Sequence, residues 1–152
     1  MAEGDVQKIT DRLRRLCSRR EYCTSDILKK AVTALEGDKE AAAKVLEALV
    51  SEKYVDDLRY ATAYAREKAM IAGWGETKIR YMLSAKRIDR SLVDQALTEI
   101  DLSKADSRLQ KLLENKAKIL KADPQIRLKL LRFALGRGYQ YDDVVRVLQD
   151  IL

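Results

Sequence analysis

Apolar residues recur along nearly the whole chain at the three- and four-residue spacing of an amphipathic α-helix. In the first such stretch, Ile9, Leu13, Leu16 and Cys17 fall on one stripe together with Arg20. No stretch shows the alternation of apolar and polar residues that is typical of a half-buried β-strand. The pattern therefore predicts an all-α fold.

Glycine and aspartate divide this pattern into successive helices. Gly37 ends the second helix, and Asp38 is placed to cap the third. The acidic pairs Asp56-Asp57 and Asp142-Asp143 also stand directly before helical stripes, where a carboxylate accepts hydrogen bonds from free backbone N–H groups. We interpret both pairs as helix caps, because no third ligand at a suitable spacing accompanies either one.

The helical pattern repeats along the chain. A shift of 51 residues aligns Ile88 with Tyr139, Val93 with Val144, Leu97 with Leu148, and Ile100 with Ile151. The first part of the chain follows the same pattern less regularly. We predict one repeat-array domain over residues 1–152, with three-helix units at about 8–54, 55–101 and 102–152. Because each unit contacts only its neighbours, the array is expected to be elongated and curved.

The helix predicted between Asp123 and Gly136 is apolar on two sides. One stripe contains Leu128, Leu131 and Leu135, and the other contains Ile126, Leu130 and Phe133. A helix that is apolar nearly all round is usually sandwiched between neighbours. We expect this for the helix here, with a protein partner on one stripe as the alternative.

Trp74 is the chain's only tryptophan and lies between Gly73 and Gly75. Glycine on both sides permits the backbone angles of a tight corner between two helices. We predict that the indole anchors those two helices, and base stacking is the alternative role.

Composition excludes several classes of chemistry. The chain has no histidine, so a histidine-based catalytic triad or metal site cannot form. Cys17 and Cys23 are too few for a disulfide framework and lack metal-ligand spacing, and we expect them to be small buried residues in a reducing cytosol. We expect no catalytic residue, no metal and no cofactor.

The chain start lacks the pattern of a secretory signal, and the longest nearly apolar run, residues 69–75, is too short for a membrane helix. We therefore expect a cytoplasmic protein that does not associate with membranes. A repeat array needs no second copy to complete its fold, so we expect a monomer.

A net charge of +6 is modest, and its distribution is more informative than its size. Residues 1–60 are balanced in charge, yet Arg12, Arg15 and Arg19 share the helix face opposite Leu13. Arg80 and Arg87 lie two helical turns apart in a later helix, or about 10 Å. Such rows can follow a phosphate backbone or an acidic protein surface, although many basic helix faces are only solvated.

Three short motifs resemble those of the bacterial RecX regulatory proteins. Residues 16–27 (LCSRREYCTSDI) resemble the opening motif of that family, and residues 54–61 (YVDDLRYA) resemble its most recognisable signature. The corner Gly73-Trp74-Gly75, followed by Ile79, Leu83 and Lys86, matches a third motif in the same order. The resemblance covers residues 10–100 well and residues 101–152 only in helical pattern.

The chain also departs from the family's pattern. Cys23 stands where serine is usual, Asp26 and Ile27 replace glutamate and leucine, and the Gly37–Lys44 connection is longer than typical. Arg87 replaces a glycine that often follows the lysine, which adds charge at the end of a helix. These changes preserve helical character and leave the fold expectation unchanged.

The resemblance implies a non-enzymatic negative modulator of the RecA recombinase. Such a protein would bind the RecA–single-stranded-DNA filament and inhibit its growth, ATP hydrolysis and strand exchange, in recombination, DNA repair and the SOS response. RecA is the expected partner, and binding to single-stranded DNA is expected to be weak and assisted by RecA. The predicted contact residues are Arg12, Arg15, Arg19, Lys78, Arg80 and Arg87.

The sequence is also compatible with two other functions. The chain could bind DNA directly without regard to sequence and without a recombinase, which would give a steep dependence of affinity on salt. It could instead be a helical-repeat adaptor that holds another protein through an apolar surface.

Overall fold

The computed structural model describes residues 3–100 and 104–152, and this part of the chain consists of helices joined by short turns, with no strand. The helices are α1 (Glu3–Arg19), α2 (Thr24–Ala34), α3 (Lys39–Ser51), α4 (Asp57–Met70), α5 (Glu76–Ala85), α6 (Arg90–Thr98), α7 (Ala105–Ile119), α8 (Ile126–Gly136) and α9 (Tyr141–Ile151). The prediction of an all-α fold is confirmed.

Three separate apolar clusters form the core, one for each successive set of three helices. Leu13, Ile27 and Leu49 represent the first cluster, which joins α1, α2 and α3. The second cluster joins α4, α5 and α6, and the third joins α7, α8 and α9. The prediction of tandem three-helix repeats is confirmed. The unit boundary expected at residues 101–102 lies outside the described residues, and the unit limits stay a prediction.

Side-chain caps explain several helix starts. Asp38 accepts a hydrogen bond from the backbone N–H of Ala41 at 3.1 Å, and Asp56 accepts one from Arg59 at 3.0 Å. These two aspartates cap α3 and α4 as predicted. Asp57 instead caps a helix of the preceding unit, because its carboxylate accepts hydrogen bonds from the backbone N–H and the hydroxyl of Thr24, both at 2.8 Å.

The predicted cap of the last helix is wrong. Helix α9 begins at Tyr141, and its capping position is Gln140, two residues before Asp142, without a side-chain hydrogen bond. Asp142 and Asp143 lie in the first turn, where their charges still favour the positive end of the helix dipole. Asp143 pairs with Arg146 at 3.0 Å, and that ion pair occupies the carboxylate.

The middle helices of the three units, α2, α5 and α8, meet end to end. At the junction between the second and third units, Gly75 donates its backbone N–H to the carbonyl of Arg137 at 2.7 Å, and Thr77 donates to Gly138 at 3.2 Å. The start of α5 is thus capped by carbonyls at the end of α8. These bonds satisfy N–H groups that would otherwise lack partners at a helix start.

The junction between the first and second units repeats this arrangement with side chains. The hydroxyl of Ser25, at the start of α2, donates to the carbonyl of Lys86, at the end of α5, at 2.7 Å. In the opposite direction, the ammonium group of Lys86 donates a hydrogen bond to the carboxylate of Asp26 at 2.9 Å. Cys23 is fully buried in the cluster of the second unit and anchors the junction further. Cys17 is half-buried, and both cysteines are free thiols.

The expectation that α8 is sandwiched on both sides is wrong. Leu130 and Ala134 are buried, but Leu128 and Leu135 remain 41% and 40% exposed. The reason is that α8 packs against α7 and α9 on one side, which leaves its opposite face to solvent. Within the described residues, no helix is long and apolar enough to cross a membrane.

Candidate partner-binding surface

Three exposed arginines line the outer face of α1. The side chains of Arg12, Arg15 and Arg19 are exposed, whereas Leu13 is buried, and none of the three arginines makes an ion pair within the described residues. Their neighbour Arg14 differs, since it bonds to Asp11 at 2.6 Å and to Glu52 at 2.9 Å and so ties α1 to the end of α3. The three remaining guanidinium groups keep their hydrogen-bond donors available to a ligand.

A groove of about 440 Å³ separates α1 from α2, and cations stand on both sides of it. Arg12 lines it from α1, and Lys29 and Lys30 line it from α2. Leu13, Leu16, Thr33 and Ala34 complete its walls. Neither lysine belongs to a row of cations along its own helix, so the sequence pattern does not single them out. The packing of two helices brings them opposite Arg12.

The aromatic ring of Tyr22 helps to place this part of the surface. The Arg20 guanidinium lies 4.4 Å from the ring centre, and the Lys30 ammonium lies 5.6 Å from it. Attraction between a cation and an aromatic ring favours both positions. Tyr22 therefore links the end of α1 to α2 and places Lys30 beside the groove.

A second groove, of about 240 Å³, continues the surface across the junction of the first two units. Lys29 and Leu28 line it from α2, and Arg87 lines it from the turn after α5. Because Lys29 borders both grooves, one surface carries cations from two units. We call the following residues the basic surface: Arg12, Lys29, Lys30 and Arg87, which line the grooves, together with Arg15 and Arg19, which continue the row of exposed arginines on α1.

Arg87 occupies the basic surface in a backbone conformation that few residues adopt. Its φ is +60°, in the left-handed region, where a side chain costs about 1 kcal/mol. The equivalent residue in the third unit, 51 positions later, is Gly138, which has a φ of +94°. The turn thus fits glycine better, yet in the second unit it holds an exposed arginine.

Arg80 is held in place by two carboxylates. Its guanidinium bonds to Asp94 of α6 at 2.7 Å and to Glu76 of α5 at 3.1 Å. The hydrogen bonds to Asp94 and then Glu76 raise the pKa of Arg80 above its ordinary value. One cation between two carboxylates attracts phosphate less strongly than an unpaired cation does.

Lys78 also makes contacts within the protein. Its ammonium lies 4.3 Å from the ring centre of Trp74 and donates to the carbonyl of Gly136 at 3.3 Å. Lys78 therefore belongs to the junction between the second and third units, whereas the ion pairs of Arg80 lie within the second unit. Neither residue lines a groove of the basic surface. Their predicted role in partner contact stays a prediction.

Trp74 joins α4 to α5, as predicted. Its ring packs edge-on against Tyr64 of α4 with 6.3 Å between ring centres, and Lys68 lies 4.9 Å above it. The backbone N–H of Trp74 bonds to the carbonyl of Lys68 at 2.8 Å. The indole thus has a structural role at this corner.

The shifted pKa values in this region describe ion pairs and buried groups. Burial would raise the pKa of Asp26, but the hydrogen bond and charge of Lys86 outweigh it and lower that pKa. Burial raises the pKa values of Cys17 and Tyr60, which favours their uncharged forms. Residues 3–100 and 104–152 contain no group of three or more cysteine or acidic side chains placed to hold a metal.

The cations of the basic surface favour contact with a polyanion through their charge.

Two family models match this chain. Residues 56–97 match the model described as "RecX, second three-helix domain", and residues 105–148 match the model described as "RecX, third three-helix domain". Together they cover more than half of the chain. The two matched ranges correspond to the helices that form the second and third apolar clusters.

Sequence relatives carry the same family name. A "Regulatory protein RecX" of Clostridium tetani is 34% identical over 119 residues, which are 76% of this chain and 54% of that protein. The chain thus spans about half the length of that relative. A "Regulatory protein RecX" of Vibrio campbellii is 33% identical over 136 residues, which are 85% of this chain and 82% of that protein.

Solved structures share the fold. The crystal structure of RecX from Lactobacillus salivarius superposes with a TM-score of 0.81 at 19% sequence identity, over 98% of this chain and 97% of that chain. A second structure, titled "Crystal structure of regulatory protein RecX", gives a TM-score of 0.82 at 22% identity, over 95% of this chain and 72% of that chain.

Proposed function

Since the chain belongs to the RecX family, we propose that it is a negative modulator of the RecA recombinase that binds the RecA–single-stranded-DNA filament. It inhibits filament growth, ATP hydrolysis and strand exchange, and so limits recombination, DNA repair and the SOS response. The observation that supports this proposal most directly is the basic surface, where unpaired cations from two units lie on one side of the array.

The spacing of these cations suits a phosphate backbone. Arg12 and Arg19 stand two helical turns apart, or about 10 Å, and Lys29 faces Arg12 across the groove. Arginine and lysine donors at this spacing can contact successive phosphates without reading bases. With a net charge of only +6, the contribution of free DNA to affinity is modest. The filament is therefore the preferred ligand, since it presents protein and phosphate together.

The proposed contacts fall into two groups. Arg12, Arg15, Arg19 and Arg87 act directly, together with Lys29 and Lys30. Lys78 and Arg80 contribute less, because contacts within the protein already occupy them. We further propose that the protein is a cytoplasmic monomer with one repeat-array domain and no catalytic role.

The test is ATP hydrolysis by the cognate RecA on single-stranded DNA, with the chain titrated in at near-physiological salt. We expect inhibition well below one copy per RecA subunit, because a modulator of filament growth acts on few subunits. Folded protein, judged by circular dichroism, that does not inhibit at equimolar concentration would refute the proposal. Tight binding to single-stranded DNA without RecA would then favour the direct DNA-binding alternative.

A pair of charge-matched variants tests the basic surface within this function. Arg12→Glu with Lys29→Glu reverses two cations at the groove, and Lys39→Glu with Lys44→Glu reverses two exposed cations on α3. We expect the first variant to raise the half-inhibiting concentration at least about tenfold, since each lost charge-assisted contact weakens binding. The second should change it less than about twofold. Equal effects would mean that only net charge matters.

A further inference from the structure

Helix α8 exposes two leucines on its outer face. Leu128 and Leu135 are 41% and 40% exposed, and Arg132 stands between them on the same side of the helix. Leucines two turns apart form a short apolar stripe, while Leu130 and Ala134 on the opposite side fill the core. We call Leu128, Arg132 and Leu135 the outer stripe.

The second unit provides an internal comparison for these positions. The shift of 51 residues that relates the two units places Thr77 opposite Leu128 and Ser84 opposite Leu135. Thr77 and Ser84 are also exposed. The same solvent-facing positions of one fold therefore carry polar residues in the second unit and leucines in the third. The fold itself does not require leucine at these positions.

A second pair of positions changes in the same way. Arg80 and Asp94 form an ion pair across the second unit, and the corresponding residues of the third unit are Leu131 and Val145. Both are only half-buried. An ion pair in one unit is thus replaced by apolar side chains in the next. The apolar character of the third unit extends beyond the two leucines of the stripe.

The charges around the outer stripe have one sign. Helix α8 exposes Arg127, Lys129 and Arg132 and contains no acidic residue. Lys129 pairs with Asp123 in the turn before the helix, while Arg127 and Arg132 have no ion-pair partner within the described residues. A ligand for this face therefore combines apolar side chains with carboxylates.

We propose that the outer stripe docks an acidic amphipathic helix on the surface of the RecA protein, separately from the phosphate contacts of the basic surface. This inference rests on the proposed function. Apolar residues of such a helix would cover Leu128 and Leu135, and its carboxylates would pair with Arg127 and Arg132. Nucleic acid fits less well, because leucine neither donates to phosphate nor stacks on bases. A second copy of the chain docked through the same face would place Arg127 and Arg132 against like charges.

The test replaces the two leucines of the outer stripe with the residues that the second unit has at those positions. The variant Leu128→Thr with Leu135→Ser removes the apolar side chains from exposed positions, so the fold is retained. Binding of fluorescently labelled protein to RecA filaments on poly(dT) is measured by anisotropy, alongside inhibition of ATP hydrolysis. We expect the dissociation constant and the half-inhibiting concentration to rise about tenfold. Arg132→Glu should weaken binding further.

Val50→Thr is the matched control, because Val50 on α3 is 44% exposed and lies outside the outer stripe. It should change filament binding less than about twofold. Filament binding unchanged by the two leucine substitutions would overturn the docking proposal and leave the proposed function in place. If the wild-type chain itself did not inhibit RecA, both proposals would fall.

Two further measurements separate other occupants of the same face. Affinity for poly(dT) without RecA should be unchanged by Leu128→Thr with Leu135→Ser, and a clear loss would assign the face to nucleic acid instead. Sedimentation velocity should show the same mass for wild type and variant. A wild-type dimer that the variant converts to a monomer would assign the face to a second copy.

Discussion

A β carbon placed on Gly75 would lie 2.5 Å from the carbonyl oxygen of Gly138, so the second and third units meet backbone to backbone. The contact is equally close from the other side, since a β carbon on Gly138 would lie 2.3 Å from that of Lys78. This approach allows the N–H of Thr77 to reach the carbonyl of Gly138. Glycine is required at both positions for steric reasons.

Gly138→Ala should strongly destabilise the protein. The substitution introduces a clash with Lys78 and forces alanine into a φ of +94°. We expect the free energy of unfolding to fall by about 3 kcal/mol, from overpacking and left-handed strain together. Urea unfolding followed by circular dichroism measures it.

Gly136→Ala is the control for that substitution. Gly136 lies two residues earlier, at the end of α8, and a β carbon there has no atom within 4 Å. It should leave stability unchanged or raise it by up to about 1 kcal/mol, because alanine is the better helix residue. Similar losses from both substitutions would show that the close approach of Gly75 and Gly138 does not matter.

Asp57→Ala should destabilise the junction of the first two units. The carboxylate of Asp57 satisfies the N–H and the hydroxyl of Thr24, 33 residues earlier in the chain. We expect a loss of about 1 to 2 kcal/mol, the usual cost of a removed helix cap. A double-mutant cycle with Thr24→Ala should give non-additive losses if the two side chains act as a pair.

Asp142→Ala is the matched control for Asp57→Ala, because Asp142 is in the first turn of α9 but caps nothing. It should change thermal stability much less. A loss as large as that of Asp57→Ala would mean that general helix-end charge, and not the hydrogen bonds to Thr24, accounts for the effect.

The Asp26–Lys86 pair should make stability depend on pH at both extremes. The pKa of Asp26 is lowered, so its contribution is present above about pH 4 and is lost as the pH falls through the folded-state pKa. Lys86 has a raised pKa, mainly from its hydrogen bond to Asp26. Its contribution is present below about pH 10 and is lost as the pH rises through the folded-state pKa.

Asp26→Asn should remove most of this dependence. We expect a loss of at most about 1 kcal/mol at neutral pH, since the pair is partly exposed, and a flatter stability curve below about pH 4. Denaturant unfolding at several pH values measures it. Asp150→Asn, at an exposed carboxylate outside any ion pair described, should leave the acid limb unchanged. If the acid limb of the stability curve were unchanged in Asp26→Asn, the Asp26–Lys86 pair would not be the source of this pH dependence.

Separate substitutions of Arg12 and Arg80 should distinguish an arginine that contacts DNA from one that stabilises the protein. Arg12→Ala removes an unpaired cation, and we expect the slope of log affinity for single-stranded DNA against log salt to fall by about 0.7. Arg80→Ala should change that slope less and reduce stability by up to about 1 kcal/mol, because its partners are Asp94 and Glu76. Titrations at four salt concentrations test both. A larger slope change for Arg80→Ala would reverse this ranking.

Local signals account for the parts of the structure that were predicted from sequence. The spacing of Ile9 and Leu13 predicts a helix because periodicity depends only on neighbouring residues. The caps made by Asp38 and Asp56 are local too, since donor and acceptor lie three residues apart. Such features are visible before any tertiary contact is known.

Contacts between distant residues account for what was missed. Asp56 and Asp57 look alike in sequence, yet only the packing of two units directs Asp57 to Thr24. Lys29 and Lys30 gain significance only when α1 lies beside α2. Arg80 has one distant partner, Asp94, which lies on another helix 14 residues away. Its other partner, Glu76, stands four residues earlier on the same helix, and that spacing is a local signal of an ion pair. The family resemblance could not supply these partners, because motifs identify a fold but not its ion pairs.

The end-to-end contacts of α2, α5 and α8 give the whole array a polarity. Each junction joins the start of one middle helix to the end of the next, so the first and third units present opposite helix ends. The backbone dipoles of the three helices add along the column. A nucleoprotein filament also has two different ends, so the complex that we propose would have one preferred orientation. The basic surface of the first two units and the leucines of the third would then contact that filament in a set order along its axis.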